Sequence, residues 1–300
     1  MVTTPAAFGN LKFVSRFPDK LGEGEAGTPV GRKRPTELIP IGQRSAVCSI
    51  PGRGTVISYL SPAEVTRYAR QITLDGWGRD AQERLKSSQV FIAGAGGLAS
   101  ATALYLMAGG LGAMRLVDDS RVSLADLNHQ VLFRERDLGK AKATMAERRL
   151  KEINPFVTVE SHVKILSENN VFRLAASCDV LIDASNNAGV GSLLNLVAAR
   201  QQIPLVHAWV WEMTGLLTTF WPSRGPCQAC ADLETPSNHR PALLGPLPGI
   251  MGALQALEVL RILGGLGPAL LGRVLTFKGT QFTFTEKIIR ANPLCPVCAV

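Results

Sequence analysis

From residue 90 onward, short apolar runs alternate with longer segments of helical period. Val90–Ala93 has the length of a buried strand, and Leu98–Ala108 reads as a buried helix. Met114–Val117 is a second strand ending in Asp118-Asp119. Gly139–Ile153 is an amphipathic helix with Lys140, Lys142, Arg148, Arg149 and Lys151 on its basic face. Val157–Val163 alternates as a strand does. Val180–Ile182, closed by Asp183, and Leu205–Trp211 are strands on either side of a helix at Leu193–Arg200. This alternation predicts an α/β, Rossmann-like, doubly wound and mainly parallel sheet with helices on both faces. Further on, Leu216–Trp221 and the 273–285 segment read as additional antiparallel strands, with a helix at Ile250–Leu263 between them.

Residues 1–58 show no such periodicity and are rich in Gly, Pro, Thr and Arg. They are expected to form a disordered, basic N-terminal extension to one domain over residues 59–300. Ser61-Pro62-Ala63-Glu64 has the pattern of a capping box with proline in the first turn, and opens a helix carrying Arg67, Tyr68 and Arg70. The formal net charge is +8, and residues 1–60 hold half of it, eight basic against four acidic side chains. The short Gly-Arg-Lys-Arg run at 31–34 is read as a solvated arm, so no nucleic-acid partner is expected. No apolar run approaches the ~18 residues that cross a bilayer, and no membrane association is expected. The first thirty residues lack an apolar signal core, which favours a reducing, cytoplasmic setting.

Gly94-Ala95-Gly96-Gly97-Leu98 follows a strand and opens a helix, the context in which a glycine-rich turn cradles phosphate. Asp118, 24 residues after Gly94 and at the end of the second strand, is placed to grip ribose hydroxyls. These residues do not separate NAD from ATP. Lys142, at the start of the basic helix, meets a need of ATP chemistry, neutralisation of the outer phosphates. Four of the six cysteines form two Cys-x-x-Cys pairs, Cys227/Cys230 and Cys295/Cys298, the spacing of a closed S4 structural zinc site. Cys48 and Cys178 are read as passive. His207 is read as a core or pocket-lining residue, and Trp209 and Trp211 share one face of their strand.

Taken together, Arg67-Tyr-Ala-Arg70-Gln71, Gly94-Ala-Gly-Gly97-Leu, Val117-Asp118, Leu127-Asn128-His129-Gln130 and Gly139-x-x-Lys142 resemble the MoeB/ThiF/HesA family, prokaryotic relatives of ubiquitin-activating enzymes. Asn154-Pro155, Asp183-Ala-Ser-Asn-Asn187, Gly252-Ala-Leu-Gln-Ala256 and the thiol pairs complete the likeness, which runs from Arg67 to Cys298. The resemblance implies a homodimer that uses Mg2+ and ATP to adenylylate the C-terminal Gly-Gly carboxylate of a ubiquitin-like sulfur carrier of the MoaD or ThiS type. It implies that Gly94, Gly96, Gly97, Asp118, Asn128 and Asp183 bind the cofactor and that Arg70, Lys142, His129 and Asn186 act in catalysis. Arg70 would do so in the neighbouring subunit's site.

Three positions depart from the family pattern: His129 stands where an arginine is usual, Asn186 where an aspartate is usual, and Gly191 where a basic residue is usual. These departures keep open a catalytically degenerate scaffold that binds nucleotide or carrier, and the glycine turn keeps open an NAD(P)-dependent oxidoreductase, against which Lys142 and the paired thiols weigh. The Glu234–Leu247 stretch lacks a cysteine, so no covalent thiol chemistry is expected there.

Overall fold

In the computed structural model, residues 58–231, 233 and 242–298 are described. The expected extension lies outside them except for Ser58, whose N–H donates to Ser87 Oγ at 2.9 Å. The chain starts with α1 (Pro62–Arg67), α2 (Ala69–Ile72) and α3 (Gly78–Lys86). The capping box at Ser61 forms as its sequence predicts. The single helix expected through Arg70 breaks at Tyr68, whose φ of −99° and ψ of 14° leave the helical region.

The sheet then runs through β1 (Gln89–Ala93), β2 (Ala113–Val117), β3 (Thr158–His162), β4 (Val180–Asp183), β5 (Leu205–Trp211), β6 (Thr214–Phe220), β7 (Arg273–Lys278) and β8 (Thr283–Ile288). Its spatial order is β3-β2-β1-β4-β5-β6-β7-β8. The first five strands are parallel, the doubly wound order, and the last three add antiparallel ladders beyond β5. The helices that cover the sheet are α4 (Gly97–Gly109), α5 (Lys142–Ile153), α6 (Glu168–Leu174), α7 (Ala188–Gln201) and α8 (Pro246–Gly264).

Strands covered on both faces carry continuous apolar runs, because each side chain has a core to enter. Val90 and Ile92 point to one core with Leu98, Leu106, Leu150 and Met251; Phe91 and Ala93 point to the other with Val171, Leu194 and Val197. Trp209 belongs to this second core, with Trp211 packed against it.

α8 is long and apolar enough to span a membrane by length and composition, yet it is mostly buried inside the fold. Its Gly252 lies so close to α4 that a Cβ there would stand 2.5 Å from the Leu98 carbonyl oxygen. Thr102 Oγ1 bridges the two helices, donating towards Gly252 O at 3.1 Å and lying 2.9 Å from Gln255 Oε1. α5 starts at Lys142 and not at Gly139. Gly139 has φ +76°, and the Lys142 N–H is taken by the Ser120 carbonyl at 2.9 Å, so the preceding residues form a turn.

Candidate nucleotide site and cysteine cluster

Ligands of open α/β sheets bind beyond the carboxyl ends of the strands, where the winding direction reverses. Here that point lies between β1 and β4. Gly94 follows β1 with φ +98°, and its N–H donates to Val117 O at 2.8 Å. A Cβ at Gly94 would meet the Ala184 carbonyl oxygen at 2.8 Å, so the conformation and the space both call for glycine. Gly97 then opens α4, whose first N–H groups have no partners within the helix. Asp118 stands over this turn: Oδ2 accepts from the Ala95 N–H at 2.7 Å and Oδ1 from the Ser120 N–H at 2.7 Å.

The loop after β2 supplies the polar wall. His129 lies against the start of α4, its Cδ2 3.0 Å from where a Gly97 Cβ would be, and its Nδ1 meets Asn128 Oδ1. Burial lowers the pKa of the His129 imidazole, and the Lys142 charge lowers it further against the opposing pull of Asp126. Lys142 is mostly buried and pairs with Asp126, Nζ to Oδ1 at 3.1 Å. Burial pushes the Asp126 carboxyl up, but the Ser123 donors and Lys142 outweigh it and hold it below the ordinary range. Gln130 Nε2 also donates to Asp126 Oδ1, at 2.8 Å, while its own Oε1 is buried without a partner.

The structure thus brings together Gly94, Gly96, Gly97, Asp118, Asn128, His129 and Lys142. Arg70 is not with them. The neighbouring Gln71 bonds the carbonyl of Gly109, at the far end of α4 from Gly97. At 1.5 Å per residue, the length of α4 separates the two ends by roughly 18 Å.

Asp183 and Asn186 sit in the turn after β4, but their side chains are engaged. Asp183 is fully buried; Oδ1 accepts from Ser185 N–H and Oγ, and Oδ2 lies 2.8 Å from His207 Nδ1. Asn186, at φ +54°, bonds the Val210 backbone through both ends of its amide. These two residues do not present a free pair of hard oxygens of the kind Mg2+ takes.

Sequence reasoning gave no role to Asp126, Gln255 or Gln228. Asp126 had a signal, the Ser123-x-x-Asp126 capping pattern. Gln255 stood in the Gly252-Ala-Leu-Gln-Ala256 motif without a role, since its bonds to Asp183 O and Val206 O join distant parts of the chain.

The four thiols converge as their spacing predicts. All four Sγ atoms lie within 4.8 Å of one another, with Cys227–Cys295 at 3.6 Å, Cys230–Cys298 at 3.4 Å and Cys227–Cys230 at 3.8 Å. A tetrahedron of Zn–S bonds of about 2.3 Å sets sulfurs about 3.8 Å apart, so the donor set fits zinc. Burial raises the Cys227 thiol, while backbone hydrogen bonds at Val297 and Cys298 overcome burial at Cys295 and hold it at about 7.

A doubly wound sheet, a phosphate-type glycine turn at its switch point and a closed thiol cluster define an α/β protein of the nucleotide-binding type with a cysteine module able to hold a metal ion. Residues 68–297 match the ThiF family, and the chain belongs to it. It is 37% identical over 241 residues to the vegetative HesA protein of Trichormus variabilis, covering 80% of this chain and 91% of that one. It is 38% identical to the SAMP-activating enzyme E1 of Haloferax volcanii, covering 80% and 90%. The sulfur carrier protein adenylyltransferase of Thermus thermophilus is 35% identical, covering 78% and 91%. The fold is shared with E. coli MccB in a structure determined with ATP: TM-score 0.70 and 22% identity over 77% of this chain and 74% of that one. By this membership the chain is an enzyme of the adenylyltransferase type.

Proposed function

We propose that this chain adenylylates the C-terminal Gly-Gly carboxylate of a ubiquitin-like sulfur carrier, of the MoaD or ThiS type, and releases pyrophosphate. The observation that carries the reading is the meeting of the Gly94–Gly97 turn, Asp118 and the Lys142–Asp126 pair at the switch point of the sheet. Named activities of relatives in sulfur-carrier and SAMP activation support it.

In this reading a carboxylate oxygen of the carrier attacks the α-phosphorus of MgATP, and the bond to the pyrophosphate oxygen breaks. The protein acts by positioning and by charge neutralisation. The opening N–H groups of α4 and the glycines hold phosphate, Asp118 holds ribose, and Lys142 meets the outer phosphates by leaving Asp126. His129 and Asn128 line the same wall. Zinc, held by Cys227, Cys230, Cys295 and Cys298, is structural and takes no part in the reaction. Arg70, remote from its own site, serves the site of a second copy in a homodimer. The reduced thiols suit a cytoplasmic setting, and family membership replaces the nicotinamide alternative.

A second reading is a scaffold that binds nucleotide or carrier without efficient turnover. It is favoured by the enclosure of Asp183 and the engagement of both ends of Asn186, which leave no acidic side chain free in that turn. ATP–pyrophosphate exchange with Gly-Gly-ended carriers decides between them. Carrier-dependent exchange lost in Asp118→Ala supports adenylylation; binding of ATP or carrier without exchange supports the scaffold.

A further inference from the structure

His207, the third residue of β5, is fully enclosed between Trp209 and Phe220 on one side and Asp183 on the other. Its Nδ1 meets Asp183 Oδ2 at 2.8 Å, but Nε2 is buried without a partner. Asp183 passes the connection on. Its Oδ1 accepts from Ser185 Oγ at 2.7 Å, and Ser185 Oγ accepts the Asn187 N–H at 3.2 Å. This is the turn that leans on Gly94 through the Ala184 carbonyl.

A second enclosed polar atom borders the same carboxylate. Gln228 lies inside the Cys227–Cys230 turn and donates its backbone N–H to Asn195 Oδ1 at 2.9 Å, while Asn195 Nδ2 lies 3.8 Å from Cys227 Sγ. The side-chain Oε1 of Gln228 is buried without a partner. Gly191 packs against both: a Cβ there would be 3.0 Å from Asp183 Oδ2, 3.0 Å from Gln228 Nε2 and 3.4 Å from Gln228 Oε1, so any side chain at 191 would crowd this contact.

Nδ1 facing a carboxylate oxygen donates its proton to it. We propose that His207 is a positioning residue for the turn at Ala184–Asn187. Its Nδ1 holds the Asp183 carboxylate, which in turn holds Ser185 and so the turn beside Gly94. The catalytic consequence rests on the adenylylation reading; the hydrogen-bond assignment does not.

Long-range 1H–15N NMR on histidine-labelled wild-type protein tests the assignment directly. A proton on Nδ1 of His207 is expected; an Nε2–H tautomer with Nδ1 bare overturns the proposal. Two variants then separate positioning from packing. His207→Asn keeps a donor near the Nδ1 position, whereas His207→Gln places its amide near Nε2 and gives up the bond to Asp183. His207→Asn should keep kcat for carrier-dependent exchange within about threefold, and His207→Gln should lower it about 100-fold with KM for ATP little changed. Equal kcat in the two variants, with Tm and zinc content intact, overturns the proposal. Should wild type show no exchange, the adenylylation reading falls alone; should the variants unfold, the tautomer decides.

Discussion

Asn186 is clasped to Val210 at both ends of its side-chain amide. Its Nδ2 donates to the Val210 carbonyl at 3.0 Å, and its Oδ1 accepts the Val210 N–H at 2.8 Å. Only an amide offers a donor and an acceptor in this arrangement. Asn186→Asp puts a carboxylate oxygen against the carbonyl, so it should cost about 1–3 kcal/mol at neutral pH and should not raise adenylylation. Thermal melts and pyrophosphate exchange on the variant check both parts. A variant as stable as wild type and faster in exchange refutes the argument.

His129 predicts a pH dependence. Its lowered pKa leaves the imidazole neutral above pH 7, and protonation adds a cation beside phosphate, within the field of Asp126 and Lys142. ATP binding should therefore tighten as pH falls from about 8 to about 5.5, with proton uptake on binding. In ligand-free protein the sign is opposite. The unfolded chain takes up the proton first, so this group's stability contribution is present above the ordinary histidine range and is lost as pH falls below it. Calorimetric titrations in buffers of differing ionisation enthalpy measure the uptake. His129→Arg should abolish this part of the dependence, and a slope unchanged in that variant refutes the assignment.

Metal content tests the cysteine module. Purified protein should carry one zinc per chain, and Cys295→Ser should reduce that below half with a clear fall in Tm, because metal binding to such a site contributes folding free energy. Atomic emission and melting curves before and after chelation supply the readout. Full stability in a zinc-free sample with intact thiols contradicts a structural metal.

Arg70 and Lys142 predict complementation between copies. Lys142→Ala should lower exchange about 100-fold by removing charge at the phosphates, and Arg70→Ala should do the same from the other subunit. Neither variant alone has a complete site. Mixing the two after mild dissociation should restore part of the activity, because one site of each mixed dimer then has both residues. Restoration absent from a verified mixed dimer removes Arg70 from the site.

Much of this molecule is legible in its sequence. β5 runs over Leu205–Trp211 as its apolar pattern predicts, since a strand buried on both faces leaves an unbroken run. The phosphate turn and the thiol pairs are equally plain, because their chemistry is carried by consecutive or closely spaced residues. α6 escapes the pattern: it is only seven residues long, Glu168–Leu174, with Glu and Asn in its first turn. In β8 all six residues are exposed, so alternation carries no burial signal, and the strand reaches Ile288 beyond the predicted 285. The start of α5 was hidden in a turn whose bonds run back to Val122 and Ser120. The Asp183–His207 contact could not be read at all, because it joins residues 24 apart across neighbouring strands.

The close approach of α8 to α4 sets an order on biosynthesis. Thr102 and Gly252 are 150 residues apart in the chain, yet they share a hydrogen bond, and Pro248 presses on Gly97 at the mouth of the phosphate turn. A nascent chain that has delivered β1 and α4 still lacks the wall that shapes this turn. At synthesis rates of about 5–20 residues per second, the missing helix emerges roughly 8–30 seconds later. During that interval the apolar flank of α4 stands uncovered, so chaperone occupancy on stalled chains should peak before residue 246 leaves the ribosome and fall once α8 is free to dock.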